Sequence, residues 1–143
     1  MKKIISGLTI IMFLGTWDSA SLASEAVAQN KNQNPKTGLK TVDSKGAKAV
    51  LTKQPATIVL DVRTPQEYNS GHLKNANNLD YNAPDFAAKL ARLDKNKTYL
   101  VYCAVGGRSS KAAKLMQEQG FRQVFNVSEG FTSMKKVGVA VVE

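Results

Sequence analysis

The chain is 143 residues long and carries 20 Lys and Arg against 11 Asp and Glu, a formal charge of +9. That length fits one domain. The single cysteine excludes an internal disulfide, and the lysines are not interleaved with aromatic residues able to stack on bases, which argues against a nucleic-acid partner. The basic surplus reads as a solvated surface that keeps the protein soluble and draws small anions toward it.

The first residues read as an address. Met1, Lys2 and Lys3 are a short basic start, and the apolar run from Ile4 to Leu14 is broken only by Ser6, Gly7 and Thr9. That run spans 11 residues, against ~20 for a membrane-crossing helix. Asp18 stops it, and Ser21-Leu22-Ala23 offers the small residues a signal peptidase requires. Residues 1–23 are therefore expected to be a secretory signal peptide, with an uncleaved anchor as the alternative. The expected location is periplasmic or secreted, with no stable membrane insertion after cleavage. Residues 24–38 are polar and poor in large apolar side chains, a leader or linker. The folded domain is expected over 39–143.

Short apolar strands then alternate with helical patterns. Leu39 to Val42 reads as a strand. Asp43 or Ser44 can cap a helix running to about Lys53, weakened by Gly46. Thr57 to Leu60 is a compact β-branched run, a buried strand. Thr64-Pro65-Gln66-Glu67 has the capping residue, the proline and the glutamate of a capping box, opening a short helix that Gly71 closes. Phe86, Leu90 and Leu93 recur at helical spacing behind Asp85. Thr98 to Tyr102 is a second strong strand. Ser109 to Gln119 reads as a helix with Ala112, Ala113, Leu115 and Met116 inward, stopped by Gly120. Val124 to Val127 is a further strand, and a last helical turn starts near Phe131. Strands separated by helices imply βαβ units and a parallel sheet covered on both faces. Ligands of such sheets sit beyond the carboxyl ends of the strands, and two such ends stand out, Asp61-Val62-Arg63 and Cys103.

Cys103-Ala104-Val105-Gly106-Gly107-Arg108 joins a strand end to a helix start. Such a turn presents unpaired backbone N–H groups and the positive end of the helix dipole. Gly106 and Gly107 allow the backbone to approach an anion closely. A thiol placed there has a lowered pKa, and Arg108 adds a permanent charge and five donors. One segment thus supplies the nucleophile Cys103, the amides that activate it, and a cradle from Ala104 to Arg108 for the anion it attacks. The competing reading is an inert buried cysteine ahead of an ordinary turn. No cluster of Cys, His, Asp and Glu has metal-ligand spacing, so no metal is expected.

These residues resemble a known family. Leu60-Asp61-Val62-Arg63-Thr64-Pro65-Gln66-Glu67-Tyr68, then Gly71-His72-Leu73 and Asn75-Ala76, look like the upstream signature of rhodanese domains. Tyr102 to Ser109 looks like their active-site loop, and Gly120-Phe121 with Val127-Ser128-Glu129-Gly130-Phe131 resembles their closing segment. The resemblance covers about Leu39 to Gly138, and an exported single-domain form is similar to small periplasmic thiosulfate sulfurtransferases. It implies an α/β fold with a central five-stranded, mainly parallel sheet and helices on both faces. It also implies double displacement without a cofactor. Cys103 would take sulfane sulfur from a small anionic donor such as thiosulfate, hold it as a persulfide, and pass it to cyanide or a thiol. A non-catalytic persulfide carrier is the alternative. A phosphatase or arsenate reductase on the same scaffold is disfavoured, because related phosphatases use a loop one residue longer than Cys103–Arg108. Three departures stand out: Ala104 where many thiosulfate-using members carry a basic residue, Glu129-Gly130 where a double glycine is usual, and Met134 in place of the common tryptophan. Asp61, Arg63 and His72 are expected to be structural residues near the site, and Glu67 a cap.

Overall fold

The computed structural model describes residues 38–143; the signal-peptide reading and almost all of the leader lie outside them. Five strands form one parallel sheet in the spatial order Gly38–Val42, Gln123–Val127, Thr98–Tyr102, Ile58–Asp61, Asn77–Asn78. β1 (Gly38–Val42) lies at one edge and begins one residue before the expected boundary. α1 (Ser44–Lys53) starts on Asp43, whose carboxylate accepts from the Gly46 amide at 2.7 Å. Of the two possible caps, Asp43 therefore does the capping.

β2 (Ile58–Asp61) is shifted one residue toward the C-terminus from its expected span. Thr64 opens α2 (Pro65–Asn69) with the full capping box: Thr64 accepts from the Glu67 amide, and Glu67 accepts from the Thr64 amide. β3 (His72–Leu73), β4 (Asn77–Asn78) and β7 (Val141–Val142) are two-residue strands, too short for any periodic signature. β4 completes the main sheet beside β2, while β3 and β7 form a separate antiparallel ribbon. α3 (Phe86–Ala91) follows Asp85 as expected, but the Asp85 carboxylate makes no cap and instead pairs with Lys89 at 2.9 Å. β5 (Thr98–Tyr102) matches its expected span. α4 (Gly107–Glu118) begins two residues earlier than expected, which brings Gly107 and Arg108 into its first turn. β6 (Gln123–Val127) and α5 (Gly130–Lys136) complete the domain.

Period-two alternation divides the buried side chains between the two faces of the sheet. On β5, Tyr99 and Val101 face one layer with Leu60, Val124, Phe86, Leu90, Ala112, Ala113 and Met116. Leu100 and Tyr102 face the other with Val59, Phe125, Val127, Ala47 and Met134. α3 and α4 thus cover one face, α1 and α5 the other. The expected five-stranded sheet with helices on both faces is what the chain forms, and its central strand β5 delivers Cys103 to its carboxyl end.

Candidate active site

Cys103 follows directly on β5 and is 1% exposed. The next three residues turn tightly into α4, and two close approaches define that turn. Gly106 has φ +94°, and a Cβ there would stand 2.1 Å from the Ser128 carbonyl oxygen. Gly130 has φ +77°, and a Cβ there would stand 2.1 Å from the Ala104 carbonyl oxygen. The Phe131 amide donates to the Cys103 carbonyl at 2.8 Å. The cysteine loop and the segment after β6 are therefore interlocked through two positions that only glycine can fill.

The Gly106 amide donates to the Cys103 sulfur at 3.0 Å. The Ser109 hydroxyl lies 3.7 Å from the sulfur and contacts the Gly106 and Val127 carbonyls at 3.1 and 3.3 Å. It can accept from the thiol, or turn its one hydrogen toward the thiolate. Burial pushes the Cys103 pKa up, but hydrogen bonding from Ser109, Val105 and Gly106 outweighs it, and the net shift is downward. Around the sulfur, Ala104 is half-buried, Val105 is 80% exposed, Gly106 is buried and Gly107 is exposed.

Arg108 does not point its donors into the loop. Its guanidinium grips the Glu67 carboxylate with two hydrogen bonds of 2.7 Å. Glu67 is thus both the cap of α2 and the clamp on α4. The Arg108 guanidinium, with Thr64, holds its carboxyl down at about 2. Arg108 is held charged mainly by Glu67, and the Cys103 charge adds to this.

Asp61 and Arg63 form a buried pair. The guanidinium donates to both Asp61 oxygens and, at 2.7 Å, to the Gly71 carbonyl. Tyr102 donates its hydroxyl to Asp61 at 2.6 Å and accepts the Leu73 amide. Burial and then Asp61 push the Tyr102 pKa well above its ordinary value, so the hydroxyl is a fixed donor. Arg63 also lies 4.2 Å from the Phe131 ring centre. His72 stacks on Tyr68 and bonds the Tyr68 carbonyl through Nδ1. The sequence places Tyr102 and Ser109 in the loop motif without assigning either a role, and it does not reveal the Glu67 clamp. A serine one turn into the helix is the single signal that could have marked Ser109; the other two are contacts across 41 residues. Glu129, at the departure from the double glycine, accepts both the Ser44 amide and hydroxyl and ties the closing segment to the start of α1.

A lone thiol at the end of a central parallel strand, met by a loop amide and leading into a helix, defines a cysteine-loop α/β domain. The chain belongs to the rhodanese-like domain family, whose model matches residues 43–136. It is 35% identical over 82 residues to a thiosulfate sulfurtransferase GlpE of Pseudomonas putida, covering 57% of this chain and 72% of that one. It is 41% identical over 76 residues to a tRNA uridine(34) hydroxylase of Cytophaga hutchinsonii, covering 51% of this chain but only 24% of that relative's length. A similar hydroxylase of Pelagibacter ubique is covered over 29% of its length. The chain therefore spans about a quarter of these longer relatives. Among solved structures, a rhodanese-like domain of an Anabaena protein is 28% identical with a TM-score of 0.63, covering 71% of this chain and 77% of that one. A rhodanese-related protein of Thermoplasma volcanium is 29% identical with a TM-score of 0.62, over 72% and 97% of the two chains.

Proposed function

We propose that this protein is a sulfurtransferase that carries sulfane sulfur on Cys103. The observation that supports this most directly is the 3.0 Å hydrogen bond from the Gly106 amide to a sulfur whose pKa is lowered. In the first half-reaction the thiolate attacks the outer sulfur of thiosulfate. The S–S bond breaks, and sulfite leaves with the bonding electrons. The new Cys103 persulfide anion occupies the turn formed by Ala104 to Arg108, where backbone donors face it. Cyanide or a thiol then attacks the terminal sulfur and regenerates the thiolate. Arg108 acts through its charge and through its grip on Glu67.

The test is the intact mass of the purified protein before and after thiosulfate, then after cyanide. Gain of one sulfur atom, its loss to cyanide, and thiocyanate released over many turns support the enzyme. A single loading with no turnover supports a carrier, and no loading from thiosulfate or an alkyl persulfide overturns the reading. The basic start and apolar run of residues 1–23 support export to the periplasm or medium. The N-terminal residue of protein recovered outside the cytoplasm tests this.

A further inference from the structure

A cavity of about 370 Å³, with no residue of the cysteine loop in its lining, lies between α1, the start of β2 and the β3–β7 ribbon. Thr57 immediately precedes β2, whose first residue pairs with the first half of the parallel strand β5. The cavity is therefore at the amino end of the sheet, opposite the cysteine loop. Leu51, Val59 and Val139 give it apolar walls, and Lys48 and Lys74 line it. Its lining contains no Asp or Glu. The ion pairs among the described residues leave both lysines out. The Lys48 ammonium donates to the Val137 carbonyl at 2.8 Å, which fixes it beside the cavity with two donors to spare. The Lys74 amide donates to the Ala140 carbonyl, which ties that lysine to the ribbon wall. Thr57 in the wall is 9% exposed, and its hydroxyl has no hydrogen-bond partner. That oxygen is itself buried, so Thr57 contributes wall to the cavity rather than a donor to a ligand.

We propose that this cavity binds a small organic anion with an apolar body, an alkyl carboxylate of about ten non-hydrogen atoms. The volume fits: at the ~30 Å³ that one water occupies in the liquid, it holds about a dozen such atoms. The carboxylate takes the two ammonium groups, and the alkyl chain lies against Leu51, Val59 and Val139. The ammonium groups alone hold an inorganic anion weakly, because water and salt screen them. Each methylene buried on the apolar wall adds about fourfold in affinity, which selects an amphipathic ligand over sulfate.

The experiment is an amide NMR titration of the full chain with octanoate, octanol and sulfate in turn. The expected result is saturable shifts at Leu51, Thr57, Val59, Lys74 and Val139 with octanoate, and none at Cys103 to Gly107. Octanol should bind at least about tenfold more weakly, and sulfate should give no saturable shift. Lys48→Met with Lys74→Met should weaken octanoate about tenfold or more, while Lys74→Arg keeps it. Should the double variant lose its dispersed spectrum, Lys74→Met alone, at an exposed side chain, reads the same effect. Absence of saturable octanoate shifts at the cavity, unchanged octanoate affinity in the lysine variants, or sulfate binding as tight as octanoate overturns the proposal. None of these readouts depends on sulfur chemistry at Cys103.

Discussion

Cys103 is buried in a domain core and nevertheless has its charged form favoured, because hydrogen bonding in the loop replaces the water it loses. Its reactivity should therefore persist below the ordinary thiol range, and Ser109 should be part of the reason. Ser109→Ala is expected to raise the midpoint of iodoacetamide alkylation against pH by about one unit, the worth of one hydrogen bond to a charged group. An unchanged midpoint would assign the lowering to the loop amides alone. Glu67 makes a prediction of the opposite kind, about stability. Its carboxyl titrates at about 2 in the folded chain against an ordinary 4.5. The contribution is present above about pH 4.5 and is lost as pH falls toward 2. The Arg108 and Glu67 side chains are 25% and 33% exposed, so screening limits that contribution to about 1 kcal/mol. Glu67→Gln should flatten the acid limb of urea-unfolding midpoints between those pH values and leave the limb above pH 6 parallel to wild type.

At the level of elements, what was legible depended on whether an element carries its own signal. β5 is a β-branched and aromatic run bounded by turn residues, and its sequence alone marks both of its ends. α2 has only five residues but announces itself through Thr64, Pro65 and Glu67. α4 begins two residues before the start its sequence suggests, because glycine is a poor helix former and nothing local marks Gly107 as helical. The loop it closes shows a sharper contrast between glycines. Gly130→Ala drives a methyl into the Ala104 carbonyl at a positive φ, and should destabilise by about 3 kcal/mol or more. Gly107→Ala meets nothing within 4 Å and sits in the first helical turn. It should be neutral or stabilise by up to about 1 kcal/mol. Thermal unfolding of the two variants side by side checks both values. Equal losses would mean that the loop and the closing segment are not interlocked as described.

Across the whole molecule, Asp61, Arg63 and Tyr102 join the ends of β2 and β5 to the chain at Gly71 and Leu73. Asp61→Ala strands a buried guanidinium and should cost about 3–5 kcal/mol in urea unfolding. A loss under 1 kcal/mol would show that the network is dispensable. The charge of +9 acts at the same scale. If thiosulfate is a donor, its second-order loading of Cys103 should slow as ionic strength rises from about 0.01 to 0.15 M, because the Debye length shortens from ~30 to ~8 Å. A rate independent of salt would confine the attraction to the loop. The position of the lone cysteine, the βα alternation, the capping box and the glycine-bearing loop are all local in the chain, since each rests on neighbouring residues and on 2.0 or 3.6 periodicity. The grip of Arg108 on Glu67, the Glu129–Ser44 tie and the Tyr102 anchor on Asp61 depend instead on partners brought from 41 to 85 positions away, and the two-residue strands on partners 17 to 70 positions away. Those pairings follow from the order in which parallel strands lie side by side, which only the folded sheet decides.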